Sequence, residues 1–138
     1  TPLSDVLPNL TFNTYGAADE MIARERDVVR DATAAMIEAS RALYREKDKV
    51  MPSVLKATQR SKQDVEYAWN YLTKNCIWSV NSGFNRERLD WTLNYYKENG
   101  DIQEQGKNVK AADMIDQKLA DDAVAKAGGP VTIGACKD

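Results

Sequence analysis

The chain has 138 residues, 43% hydrophobic and 29% charged, with a formal net charge of −2 and no histidine. That length suits one folded unit with its own core and is short for two, while the mixed charges fit a soluble globular chain and not a disordered one. The near-neutral total removes the long-range pull toward phosphate that nucleic-acid binders use, and the missing imidazole excludes catalytic triads and most zinc sites from this chain acting alone.

The opening TPLSDVLPNLTFNTYG holds two prolines, then Leu10, Thr11 and Phe12 in strand-like alternation, then Gly16. It predicts a loop, one short strand through about Tyr15, and a turn. AADEMIAR predicts a short helix. From about Asp27 the positions Val28, Ala32, Ala35, Met36, Ala39, Ala42 and Leu43 recur at three and four, the mark of a long amphipathic helix whose alanines let a neighbour pack close. Asp48 is placed to cap a further helix carrying Val50, Met51, Val54, Leu55 and Thr58, with Pro52 in its first turn.

Ser61 with Asp64 resembles a capping box, and Val65, Ala68, Trp69, Leu72 and Cys76 then keep one face of a helix of about four turns. In WSVNSGFNRERLDWTLNYYKENGDI, Asn85 is the expected N-cap, Phe84 and Leu89 a hydrophobic staple, and Gly100 the left-handed stop. Leu89, Leu93 and Tyr96 form one stripe there and Trp91 with Tyr95 a second, so this helix is expected to be packed on more than one side. A last helix is predicted from about Asp113 to Lys126, stopped by Gly128 and Gly129, and PVTIGACKD reads as a tail. The sum is mainly α: about six helices with one short N-terminal strand, a strand with no partner in the chain to receive its hydrogen bonds.

Few residues suggest chemistry. Asp113, Asp116, Asp121 and Asp122 form the densest acidic group, but they do not follow a calcium-loop spacing, and Asp113 and Asp116 lie where a helix N-terminus favours negative charge. They read as caps and a solvated face, with no metal site. Trp69, Trp78 and Trp91 could line an aromatic pocket, although aromatics at helical spacing serve a core more often. Asn9-Leu10-Thr11 matches a glycosylation sequon, a pattern too short to carry weight. GGPVTIG does not sit in a strand-to-helix turn, so it does not support a phosphate cradle. Cys76 reads as a small hydrophobe on a helix stripe and Cys136 as a tail residue; spacing alone leaves open whether they form a disulfide. Neither reads as catalytic. No stretch approaches the roughly 18 apolar residues that span a bilayer, and the start lacks the regions of a signal peptide. The expectation is a chain that crosses no membrane and whose export signal, if it is exported, lies outside these residues.

Taken in order, DVLPNLTFNTYGAADEMI, VVRDATAAMIEASRALYREKDKV, FNRERLDWTLNYYKENGDI and AADMIDQKLADDAVAKAGG resemble the C-terminal third of the substrate-binding proteins of ABC importers, the nitrate/sulfonate/taurine and thiamine-pyrimidine-precursor binding group. The likeness spreads over most of the chain as many weak positions without one diagnostic motif. It implies that residues 1–138 are a single helical C-terminal region of a two-lobed α/β periplasmic-binding fold, without the first lobe's N-terminal sheet and the whole second lobe. The lead-in strand would then pair with that absent sheet. A complete member is about twice this length. The residues nearest the expected cleft are Tyr15, Gly16 and Ala17, where a backbone amide at a helix N-terminus could meet an anionic group; Tyr15 itself reads more readily as an aromatic packed at the hinge, since aromatics mostly serve packing.

The resemblance implies a non-enzymatic role: capture of a small organic solute and delivery to an ABC permease, outside the cytoplasm, with no cofactor. Relatives that make the thiamine pyrimidine use a histidine, which this chain lacks. A free-standing helical protein-interaction domain is the alternative. The isolated chain is expected to form a homodimer, because an apolar face and an open strand edge are rarely left in water.

Overall fold

The alanine-rich run after Glu25 forms the longest helix, and the other elements are arranged along it. The computed structural model describes residues 3–11, 14–83 and 85–137. In chain order these are α1 (Leu3–Val6), α2 (Asp19–Arg24), α3 (Arg26–Arg45), α4 (Lys47–Thr58) and α5 (Lys62–Lys74). Then follow α6 (Arg86–Glu98), a 3-10 turn at Glu104–Gly106, α7 (Ala111–Met114) and α8 (Gln117–Lys126). The fold is mainly α.

The expected lead-in strand is not seen among the described residues. Leu10, Thr11, Thr14 and Tyr15 have no sheet partner, and Phe12 lies outside the described residues; the β pairing among the described residues is one bridge between Ile133 and Cys136. With no neighbouring strand to pair with, the lead-in finds its partners on α6. The Thr11 amide donates to Thr92 Oγ1 at 2.8 Å, Thr92 Oγ1 lies 3.3 Å from the Asn9 carbonyl, and Arg88 donates to the Pro8 carbonyl at 2.9 Å.

Two apolar clusters hold the helices. Ala34 and Ile37 of α3 pack on Ala123 and Val124 of α8, with Ala127 beside them. The small alanines let these two helices approach closely. Met51, Val65 and Trp69 form the second cluster with Leu43, Val50, Val54, Leu55 and Trp78. Its rings meet edge to face, Trp69 to Trp78 at 5.5 Å and Tyr44 to Trp78 at 6.1 Å, the arrangement that ring quadrupoles favour.

The buried face of α3 differs from the expected one. Val28, Ala32, Ala35 and Ala39 are exposed, Met36, Ala42 and Leu43 are half-buried, and Ala34, Ile37 and Arg41 are buried. Hydrophobic periodicity counts an arginine against a face, but Arg41 is buried because carbonyls receive its donors. Its Nε donates to the Val80 carbonyl at 2.7 Å and its Nη2 to the Gly129 carbonyl at 2.8 Å, and Nη1 donates to the Ala127 carbonyl. One guanidinium thus joins α3, the loop after α5 and the end of α8.

Helix ends follow the expected grammar with some changes. The Ser61 hydroxyl accepts from the Asp64 amide at 3.1 Å and donates to its carboxylate at 2.6 Å, and the Asn85 side chain accepts from the Arg88 amide. Phe84, the other half of the expected staple, lies outside the described residues. Helix α4 begins after Glu46, so Asp48 falls in its first turn and is not the cap, and Pro52 falls in the second turn, inside the helix. There the ring leaves the Asp48 carbonyl without its helical donor. The predicted helix from Asp113 divides at Ile115 into α7 and α8, because Asp113 caps the first through the Lys110 amide and Asp116 caps the second through the Leu119 amide. Helix α6 is less enclosed than its aromatics suggested: Thr92 is its buried residue, and Leu89, Trp91, Leu93, Tyr95 and Tyr96 are only half-buried.

Candidate functional site

Tyr15, Gly16 and Ala17 lie in the irregular segment before α2, a helix of six residues. The Tyr15 ring is 81% exposed, so it is not packed at a hinge in this chain, and an added side chain at Gly16 would meet nothing within 4 Å. None of the three lines either depression described below.

The acidic residues near α8 are engaged with neighbouring donors. Asp116 receives both arms of the Arg26 guanidinium, at 2.7 and 3.1 Å, as well as the Leu119 amide at 2.8 Å. The Arg26 bond first, and the amide bond second, hold its carboxyl below the usual carboxylate range. Asp121 accepts from Gln117 and Asp122 from Lys118. Across the α3–α8 seam, Asp31 accepts from Arg30 and from Lys126, and the Arg30 bond is the larger cause of its lowered pKa. Among the described residues no group of three or more Asp, Glu, Cys or His side chains could share a metal ion.

The three tryptophans divide. Trp69 and Trp78 belong to the second core cluster, while Trp91 stacks on Tyr95 at 5.3 Å on α6. They do not converge on a pocket.

Open depressions lie at two places on the described surface. One, of about 420 Å³, is walled by Arg30, Asp122, Ala125 and Lys126, whose charged groups are already paired with Asp31 and Lys118. The other, of about 340 Å³, runs between the C-terminal half of α5 and the end of the chain and is walled by Tyr44, Asn70, Thr73, Lys74 and residues 133–136. Sequence reading missed this second one because it treated the final residues as a loose tail. The signal available was the pair of cysteines: Cys76 and Cys136 form a disulfide across 60 residues. Cys76 is not on a helix stripe either. It follows the end of α5 with a left-handed backbone, φ 52°, and is half-buried, while Cys136 is buried.

Among the described residues no helix is long and apolar enough to cross a membrane. No protein-family model, curated protein or solved structure matches the chain.

Proposed function

We propose that this chain is the C-terminal helical region of a two-lobed solute-binding protein that captures a small organic solute and delivers it to an ABC permease outside the cytoplasm. The observation that carries the reading is the unpartnered face of α3. Val28, Ala32, Ala35 and Ala39 run along one side of the longest helix and are left in water, and Tyr15 and Met21 are exposed just before it. A continuous stripe of small apolar residues is a packing face, since alanines let another layer approach closely. In the two-lobed fold that the segment order resembles, the missing layer is a sheet. The irregular residues before α2, where the Thr11 amide donates to Thr92 and the Pro8 carbonyl accepts from Arg88, are the segment that would join it.

Two further observations support the reading. The disulfide suits an oxidising compartment, and the core formed by these residues is divided into two small clusters rather than one. Solute binding in such a protein works by hinge closure of the lobes, with the ligand favouring the closed state by differential affinity. Tyr15, Gly16 and Ala17 are then the part of this chain facing the cleft, and most contacts come from the other lobe.

The test is the intact mass of the native polypeptide that carries these residues, together with the association state of the isolated chain. A native product of about twice this length, and an isolated chain that dimerises through the α3 stripe and is dispersed by Ala35→Glu, are the expected results. A native product of 138 residues that stays monomeric overturns the reading. A native product of that length held in a stable complex with another protein would instead favour a free-standing helical interaction domain, for which the same exposed stripe is the docking face.

A further inference from the structure

Residues 130–137 are docked and not a loose tail. The Val131 amide donates to Asn81 Oδ1 at 2.8 Å, and Asn81 Nδ2 donates to the Val131 carbonyl at 3.1 Å and the Lys137 carbonyl at 3.3 Å. A turn through Gly134 then brings Ile133 and Cys136 into two mutual backbone hydrogen bonds, at 2.9 and 3.0 Å. The disulfide to Cys76 closes the arrangement.

The position of Cys76 shows what that bond is for. Helices α5, α6 and α8 all end in the same two-bond motif, in which the residue after the C-cap adopts a left-handed backbone. At α6 that residue is Gly100 and at α8 it is Gly128, while at α5 it is Cys76, with its amide on the Thr73 carbonyl and the Ile77 amide on the Leu72 carbonyl. A side chain is disfavoured in that conformation and glycine is not. Gln59 at the end of α4 also takes a left-handed backbone, and what sets Cys76 apart is that its sulfur is engaged in the disulfide. Cys136 is buried, but neither cysteine belongs to the two apolar clusters, and the bond joins the C-terminal segment to the end of α5. The depression walled by Tyr44, Asn70, Thr73 and Lys74 has the buried Cys136 in its lining, and the Lys74 ammonium in that wall favours an attacking thiolate.

The geometry points to a redox latch: the Cys76–Cys136 disulfide holds residues 130–137 over the surface formed by Tyr44, Asn70, Thr73 and Lys74, and a dithiol reductant releases them while the helices stay folded. The thiolate of the dithiol attacks one sulfur, breaking the S–S bond and forming a mixed disulfide. Its second thiol then displaces the bound cysteine. Two electrons and two protons pass to the protein, leaving two cysteine thiols, and the reductant leaves as its own disulfide. The latch does not rest on the solute-binding reading, since it concerns the opposite end of the chain and its test involves no solute.

The experiment compares the full chain, oxidised and after dithiothreitol, by hydrogen exchange read by mass spectrometry and by far-ultraviolet circular dichroism on the same samples. The double variant Cys76→Gly/Cys136→Ser is the second arm, because glycine suits the left-handed position and removes the risk that a strained cap unfolds α5. Reduction is expected to speed exchange in 131–137 more than about tenfold while the helical signal and the protection of α3 and α8 remain. The double variant should show the same open segment without reductant. Loss of the helical signal on reduction overturns the latch, because the bond would then be a staple of the whole fold. Continued protection of 131–137 in the reduced protein or in the variant overturns it as well, because the Asn81 bonds alone would hold the segment, and so does failure of excess dithiothreitol to reduce the folded protein.

Discussion

The segments at the two ends of the described chain are both mostly irregular, apart from the single turn of α1 at Leu3–Val6, yet they are held very differently. At the C-terminal end, residues 127–137 deliver their carbonyls and amides to two side chains that reach across the fold. Arg41 donates to the Ala127 and Gly129 carbonyls, Asn81 donates to those of Val131 and Lys137, and a disulfide adds a covalent tie. At the N-terminal end, residues 3–11 and 14–18 meet α6 through Thr92 and Arg88, and leave Leu3, Val6 and Tyr15 exposed. Irregular backbone is ordered by whatever pairs with its polar groups: among the described residues the C-terminal segment has the buried Arg41 guanidinium, Asn81 and the disulfide, whereas the N-terminal segment has the single buried Thr92 hydroxyl beside the exposed Arg88. The N-terminal end has apolar side chains without cover.

The sharpest way to break that contrast is at Arg41. Arg41→Ala strips the donors from the Val80, Ala127 and Gly129 carbonyls in a buried setting, and a buried polar group left unpaired costs about 1–3 kcal/mol. Urea unfolding of this variant should show a loss of more than about 3 kcal/mol, and a loss near zero would mean that water replaces the guanidinium without penalty. Smaller is Asp116→Ala, which removes both the cap of α8 and the partner of Arg26; a lost cap costs about 0.5–2 kcal/mol. At the other end, Thr92→Val keeps the shape but deletes the hydroxyl that meets Asn9 and Thr11, and a single hydrogen bond is worth about 0.5–1.5 kcal/mol. Its effect should be local, as faster amide exchange at Thr11 with almost no change in the unfolding midpoint. A change as large as that of Arg41→Ala would erase the contrast between the ends.

Acid should weaken the α3–α8 seam first. The carboxyls of Asp116 and Asp31 are held below their ordinary value by Arg26 and Arg30 respectively. A group with a depressed folded pKa contributes stability that is complete above its unfolded value near 3.8 and is lost as pH falls through the folded value. Unfolding midpoints should therefore stay flat from neutrality to about pH 5 and drop below about pH 4. Because both carboxylates are partly in water, the drop should be modest and should shrink in high salt. In Asp116→Ala it should shrink further.

Local chemistry was legible wherever neighbours in sequence are neighbours in space. The caps at Ser61 and Asn85 and the glycine stops at Gly100, Gly128 and Gly129 could be read directly, because each involves a side chain and a backbone group within a few residues. The mainly α class was equally plain from the three-and-four period. The place of the Tyr15, Gly16 and Ala17 segment came from the resemblance alone, and nothing local in those residues marks a site.

The tertiary structure decided which face of α3 is buried, and it chose the face with Arg41 over the one with more alanines, because a face is buried by what meets it and not by its own hydropathy. It likewise decided that Cys76 and Cys136 are joined and that the final residues are docked. Those outcomes depend on groups 39 to 88 residues apart being brought into reach. Periodicity and capping are properties of a single helix. The geometry that satisfies a buried guanidinium or joins two sulfurs exists only once several elements have packed, which is why the alanine stripe of α3, for all its apolar periodicity, stays exposed.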